Sequence, residues 1–165
     1  MNKLLSNLIE SLREELQQYG EMLALLEQQQ AAVVQRKTDD LVQNVAAVNL
    51  QVNVIAAQRR EREQRQSSVA VELGLGETAS FGAIVPLLPE DYRPLVQALV
   101  QENNELLTRV QQRTRQNHLL LSHAVELTQQ LIEAVFPRGR PKVYDQLGRM
   151  AGSTAPAYSL YERVG

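Results

Sequence analysis

The chain has 165 residues, 44% of them apolar but only 4% aromatic, no cysteine, and a formal net charge of −2. The length fits one domain with a real core. Lack of cysteine removes disulfides, Cys-based metal sites and thiol nucleophiles together, and the acidic balance argues against a nucleic-acid binder, which would carry a basic surplus.

Helix breakers are confined to a few places. Residues 1–73 contain no proline and one glycine, Gly20, and residues 95–136 contain neither. Gly and Pro terminate helices, so this punctuation predicts a few long ones. The Leu, Ala, Gln, Glu and Arg that fill these stretches are good helix formers, and runs such as Gln28-Gln29-Gln30 between spaced leucines read as solvated helix faces. No apolar run reaches the roughly 18–20 residues needed to span a bilayer. Met1-Asn2-Lys3-Leu4-Leu5 gives way to Glu10, Arg13, Glu14 and Glu15 rather than to a signal sequence. The expectation is a cytoplasmic, soluble protein without stable membrane insertion.

The first helix is predicted from about residue 3 to 36, with a stripe of Leu5, Leu8, Leu12, Leu16, Tyr19, Leu23, Leu26 and Val33 at spacings of three and four. Continuing that register meets Lys37, Asp40, Asn44 and Gln51, all polar, while a new stripe (Leu41, Val45, Val48, Val52, Ile55) starts one residue out of phase. A break near 37–40 follows, with Thr38 or Asp39 as the next helix cap and the second helix turned back antiparallel. The rival is one kinked helix of about 70 residues. The second helix is predicted over about 40–73. Its segment Arg59-Arg60-Glu61-Arg62-Glu63-Gln64-Arg65 reads as a solvated end beyond the core with an Arg59–Glu63 pair, or as a basic docking patch.

Gly74-Leu75-Gly76 ends that helix. The connection over 74–90 is too apolar for a free linker, with Phe81, Ile84, Val85, Leu87 and Leu88, and is predicted to cap one end of the bundle. The third long helix is predicted from 89–91, capped by Asp91 with Pro94 in its first turn, to Val135. Its seam is Leu99, Asn103, Leu106, Val110, Thr114, Asn117, Leu121, Ala124, Thr128, Leu131 and Val135. Asn103 and Asn117, two heptads apart, either fix register inside the bundle or mark a stretch completed by a partner. The architecture expected is therefore all-α: an antiparallel bundle of three long helices over residues 1–136, an irregular connection between helices two and three, and a flexible basic tail over 137–165. That tail holds five basic residues against Asp145 and Glu162, and its hydrophobic beads (Tyr144, Leu147, Met150, Tyr158, Leu160 and Tyr161) suit short docking elements.

Nothing in the sequence assembles into chemistry. His118 and His123 are five apart and diverge by about 140° on a helix, which makes them poor co-ligands. Ser122 beside His123 is not a nucleophile with its base. Gly74-Leu75-Gly76-Glu77 lacks the spacing of a phosphate loop. No cofactor, metal or catalytic group is expected. Three helices do leave a groove that an amphipathic partner helix can fill.

A spaced pattern resembles the FlgN family of flagellar type III export chaperones. It comprises Leu16, Tyr19, Leu23, Leu26, the Gln28–Gln30 cluster and Val33-Val34, then Asp40, Leu41, Ile55 and Arg59. Leu99, Leu106, Asn117 and Leu119-Leu120-Leu121 follow, and Tyr144-Asp145-Gln146-Leu147-Gly148 closes it. The resemblance covers about 1–150. It implies a non-enzymatic chaperone in the cytoplasm that binds the C-terminal helical segments of hook–filament junction proteins, prevents their premature assembly and delivers them to the flagellar export gate. By position, Asn117, Leu121, Leu131, Ile132 and Val135 would meet the client and Tyr144 the gate. The alternative is a structural coiled-coil protein that self-associates through the same seams. A monomer or weak dimer without nucleic acid is expected.

Overall fold

The computed structural model describes residues 1–136. Its elements are α1 (Asn2–Val34), α2 (Thr38–Glu72), α3 (Phe81–Ile84), a 3-10 turn (Val85–Leu87) and α4 (Arg93–Val135). The expected tail, including Tyr144, lies outside the described residues. Among the described residues the fold is all-helical.

Two helices rather than one kinked rod occupy residues 2–72, and the stop is built by the end of α1. Arg36 has a positive φ of 56°. Its amide donates to the Val33 carbonyl and that of Lys37 to the Ala32 carbonyl. These are the paired bonds of a Schellman closure, which satisfy the last carbonyls of a helix. The same closure ends α2, where Gly74 holds φ 75°, Gly74 N–H reaches the Val71 carbonyl and Leu75 N–H the Ala70 carbonyl. The expected caps are corrected: Lys37 precedes α2 and Tyr92 precedes α4, neither with a side-chain cap bond, so Thr38, Asp39 and Asp91 do not cap. Asp39 and Asp40 do lie in the first turn of α2, where the helix dipole favours them.

α1 is the spine. It packs along both α2 and α4, whereas α2 and α4 make little direct backbone approach to each other. Two apolar clusters lie along it. At one end Leu5, Leu8, Ile9 and Leu12 meet Val69, Ala70, Phe81, Ile84, Leu88, Val96 and Leu99. The connection therefore caps the bundle as expected, through α3 and Leu88, while Leu87 faces solvent. Further along, Tyr19, Met22 and Leu26 meet Ile55, Leu107 and Val110.

Buried amides set the register. Asn44 Nδ2 donates to the Leu25 carbonyl at 2.8 Å, and Gln51 Nε2 donates to the Gln18 carbonyl at 3.1 Å. The donor moves seven residues forward on α2 as the acceptor moves seven back on α1, so this pair is antiparallel. Asn103 Nδ2 donates to the Leu12 carbonyl and Asn117 Nδ2 to the Leu26 carbonyl, each across 91 residues, so α4 runs parallel to α1. The two asparagines do share one face and one role, as their spacing suggested.

Two sequence expectations for α2 are corrected. Of the stripe Leu41, Val45, Val48, Val52 and Ile55, only Ile55 is fully buried, and Val45 faces solvent. The inward positions belong to Asn44 and Gln51, whose polarity had suggested an outward face. Polar side chains are tolerated there because each finds a carbonyl of α1. Nor does the Arg59–Arg65 segment project as a solvated end or form an open basic patch. Arg62 is 3% exposed, and its Nε donates to Glu15 Oε2 at 3.0 Å inside the bundle. Arg65 donates to the Asn7 carbonyl and pairs with Glu61. The Arg59–Glu63 pair is present at 3.2 Å.

Candidate interaction surface

Between the two apolar clusters lies a closed polar network that the sequence reading missed. Glu15, fully buried, takes hydrogen bonds from Arg62 and, at 2.8 Å, from the Tyr19 hydroxyl. Arg62 also donates to Gln66 Oε1 and stands over the Phe81 ring, 5.9 Å from its centroid. Gln66 in turn donates to the Ala79 carbonyl, tying α2 to the cap. Burial first, then the Glu15 charge and hydrogen bond, holds the Tyr19 hydroxyl far above the ordinary tyrosine range. The signal was available, since Glu15 sits between Leu12 and Tyr19 at spacings of three and four. This cluster is saturated by its own members and faces no open site, so it is structural.

The open surface lies at the other end. Asn117 is 2% exposed, bonded to the Leu26 carbonyl and Gln29 Oε1, and no residue of α4 after it is fully buried. The reason is geometric. At the constant offset of 91, Val34, where α1 stops, faces α4 near residue 125. Beyond it α4 runs past the end of α1 to Val135, about 15 Å at 1.5 Å per residue. Arg113, bonded to Gln30 and near Glu27, adds a second polar joint between α4 and the end of α1.

The free end is apolar. Leu131 is 64% exposed, Ile132 45% and Val135 59%, and Leu119, Val125, Leu127 and Phe136 are exposed as well. Leu121 is half-buried. At 100° per residue these side chains with Leu120, Ala124 and Ala134 cover an arc of roughly 260°, more than twice the stripe that one neighbouring layer needs. A depression of about 600 Å³ lined by Gln30, Gln116, Leu119, Leu120 and His123 marks the flank where α4 passes the end of α1. The residues singled out by position thus divide. Leu121, Leu131, Ile132 and Val135 fall on one exposed segment, Asn117 is the last inward anchor before it, and Tyr144 lies outside the described residues. Leu119, Leu127 and Phe136 share the surface though the seam pattern did not name them, because the exposed arc is wider than a seam.

The sequence profile of the FlgN family, described as FlgN protein, matches residues 1–152. The chain belongs to the FlgN family. No curated protein and no solved structure matches it. FlgN membership makes it a flagellar export chaperone, from a family of chaperones rather than of enzymes, with flagellar proteins as partners. No helix among the described residues is long and apolar enough to cross a membrane, and no group of His, Cys, Asp and Glu among them could hold a metal ion. The FlgN match stops at residue 152, short of residues 153–165.

Proposed function

We propose that the chain works in the cytoplasm and holds the C-terminal helical segments of hook–filament junction proteins on the distal part of α4, keeping them from assembling until they reach the flagellar export gate. The observation that carries this reading is the exposed apolar arc from Leu119 to Phe136, on a helix whose earlier part is packed by its own chain. Such a surface suits an amphipathic helix in a groove, with apolar anchors at spacings of three and four. A client with an assembly-prone apolar helix gains a cover, and the chaperone gains the second layer its free end lacks. In this reading Leu121, Leu131, Ile132 and Val135 contact the client, while Tyr144 contacts the gate. The chaperone itself is a monomer or weak dimer.

Co-purification with junction subunits tests the reading directly. Binding is expected to vanish when the client's C-terminal segment is removed, or when Leu131 and Ile132 are changed to aspartate in a chain that melts normally. Binding that survives both changes overturns the assignment. Tyr144→Ala is expected to leave the complex intact and reduce export. The same exposed arc also supports self-association as a coiled-coil protein. A mass that rises with concentration to a stable dimer closed over Leu131 would favour that second reading.

A further inference from the structure

The arc on distal α4 is wide enough for more than one neighbour, and the chain supplies a candidate of its own. From residue 116 to 136, α4 carries Glu126 and Glu133 and no lysine or arginine. Residues 137–165 carry a net +3, with Arg138, Arg140 and Lys142 directly after the helix and the apolar side chains of Tyr158, Leu160, Tyr161 and Val164 near the close. We propose that this C-terminal segment lies back on distal α4 in the free protein, its last apolar residues seated on the Leu119–Phe136 arc, and that an arriving client displaces it. The displacement half rests on the client reading above; the docking half does not.

Reach and charge both allow it. The chain between Phe136 and Tyr158 extends up to about 70 Å at roughly 3.3 Å per residue, against about 25 Å from Phe136 back to Leu119 along the helix. Basic residues meet a segment whose only formal charges are acidic, which sets the direction of return. Tyrosine supplies a large apolar contact with a polar tip that stays wet at a surface. Tethering supplies an effective concentration on the order of millimolar, so a weak contact suffices to cover the arc while still yielding to a separate partner. Tyr158, Leu160 and Tyr161 lie beyond residue 152, where the FlgN match ends, so family membership alone does not supply this device.

Amide hydrogen exchange on the full chain and on a chain ending at Gly152 tests the docking half without any client. Amides of 119–136 are expected to exchange about tenfold faster in the shortened chain, because a docked layer suppresses local opening of a helix end. The full chain with Tyr158, Leu160 and Tyr161 changed to serine is expected to behave like the shortened one. Equal exchange in all three overturns the proposal, and so does protection that grows with protein concentration, which would make a second copy the occupant. For the displacement half, the shortened chain is expected to bind a junction subunit about tenfold more tightly, since a competing cover lowers apparent affinity by the fraction of chains left open. Unchanged affinity alongside changed exchange would overturn displacement. Loss of client binding by every variant, with exchange still responding to the tail, would sink the client reading and leave the docking intact.

Discussion

The two halves of α4 share one seam and have opposite fates. From Val96 to Asn117 its inward positions meet α1 and the cap, and Leu107 and Val110 are fully buried. From Leu119 onward the same spacing continues, yet no side chain among the described residues is fully buried. Nothing in the local sequence of α4 marks the change; α1 simply stops. A helical stripe records an intention to be covered, and only the lengths of the neighbouring helices decide whether the chain itself provides the cover.

The sharpest way to break this contrast is at the packed end. Replacing Arg62 by methionine strands the Glu15 carboxylate in the interior, where an uncompensated charge costs about 3–5 kcal/mol. Chemical denaturation is expected to show that loss, and the double change Glu15→Gln with Arg62→Met is expected to recover part of it. A loss below about 1 kcal/mol for Arg62→Met would mean that the network is wetter than its geometry implies. Next in size, Leu12→Ala should cost about 2–5 kcal/mol, whereas Leu131→Ala should change the melt by less than about 0.5 kcal/mol. Client affinity should respond in the reverse order in chains that remain folded. If Leu131→Ala destabilises as much as Leu12→Ala, the distal arc is covered in solution by something already bound to it.

The sequence disclosed the number, order and approximate limits of the long helices, because glycine and proline punctuate it so cleanly. It also disclosed the capping role of the 74–90 connection and the shared face of Asn103 and Asn117. It misled on α2, and the cause is physical. Apolar periodicity assumes that polar residues face out, but Asn44, Gln51, Arg62 and Gln66 face in, each hydrogen-bonded to a group that pattern reading cannot see. The exposed surface was legible only in part. Leu121, Leu131, Ile132 and Val135 follow from the seam and the family resemblance, but where burial ends depends on the offset of 91 between two helices, which no local spacing contains.

The amides that set this offset offer a smaller test. Asn103→Ala removes donations to the Leu12 and Leu99 carbonyls, a loss of about 1–2 kcal/mol, held down because Asn103 Oδ1 is buried without a partner in the folded chain. Asn117→Ala should cost about as much and should also loosen the distal half, read as faster amide exchange beyond residue 117. High pH tests the network from its other side. The folded state raises the Tyr19 hydroxyl far above its ordinary pKa of about 10, so the neutral form is the one the fold favours. Its contribution is whole below about pH 10 and is lost as pH rises beyond it, with a slope approaching 1.4 kcal/mol per pH unit. Tyr19→Phe should flatten that slope. An unchanged slope would place the alkaline sensitivity elsewhere.

The smallest expected effect bears on where the free surface begins. Arg36 holds a left-handed backbone that costs a residue with a side chain roughly 1 kcal/mol, and the equivalent place at the end of α2 is taken by Gly74. Arg36→Gly relieves that strain but adds freedom to the unfolded chain, so the net gain should be about 0.5 kcal/mol. The gain matters less than its sign. If the Schellman closure is what halts α1, glycine strengthens the stop and leaves distal α4 as open as before, with unchanged client affinity. A destabilised chain with lower affinity would show that the Arg36 side chain, rather than the backbone turn, keeps α1 from running on beside α4.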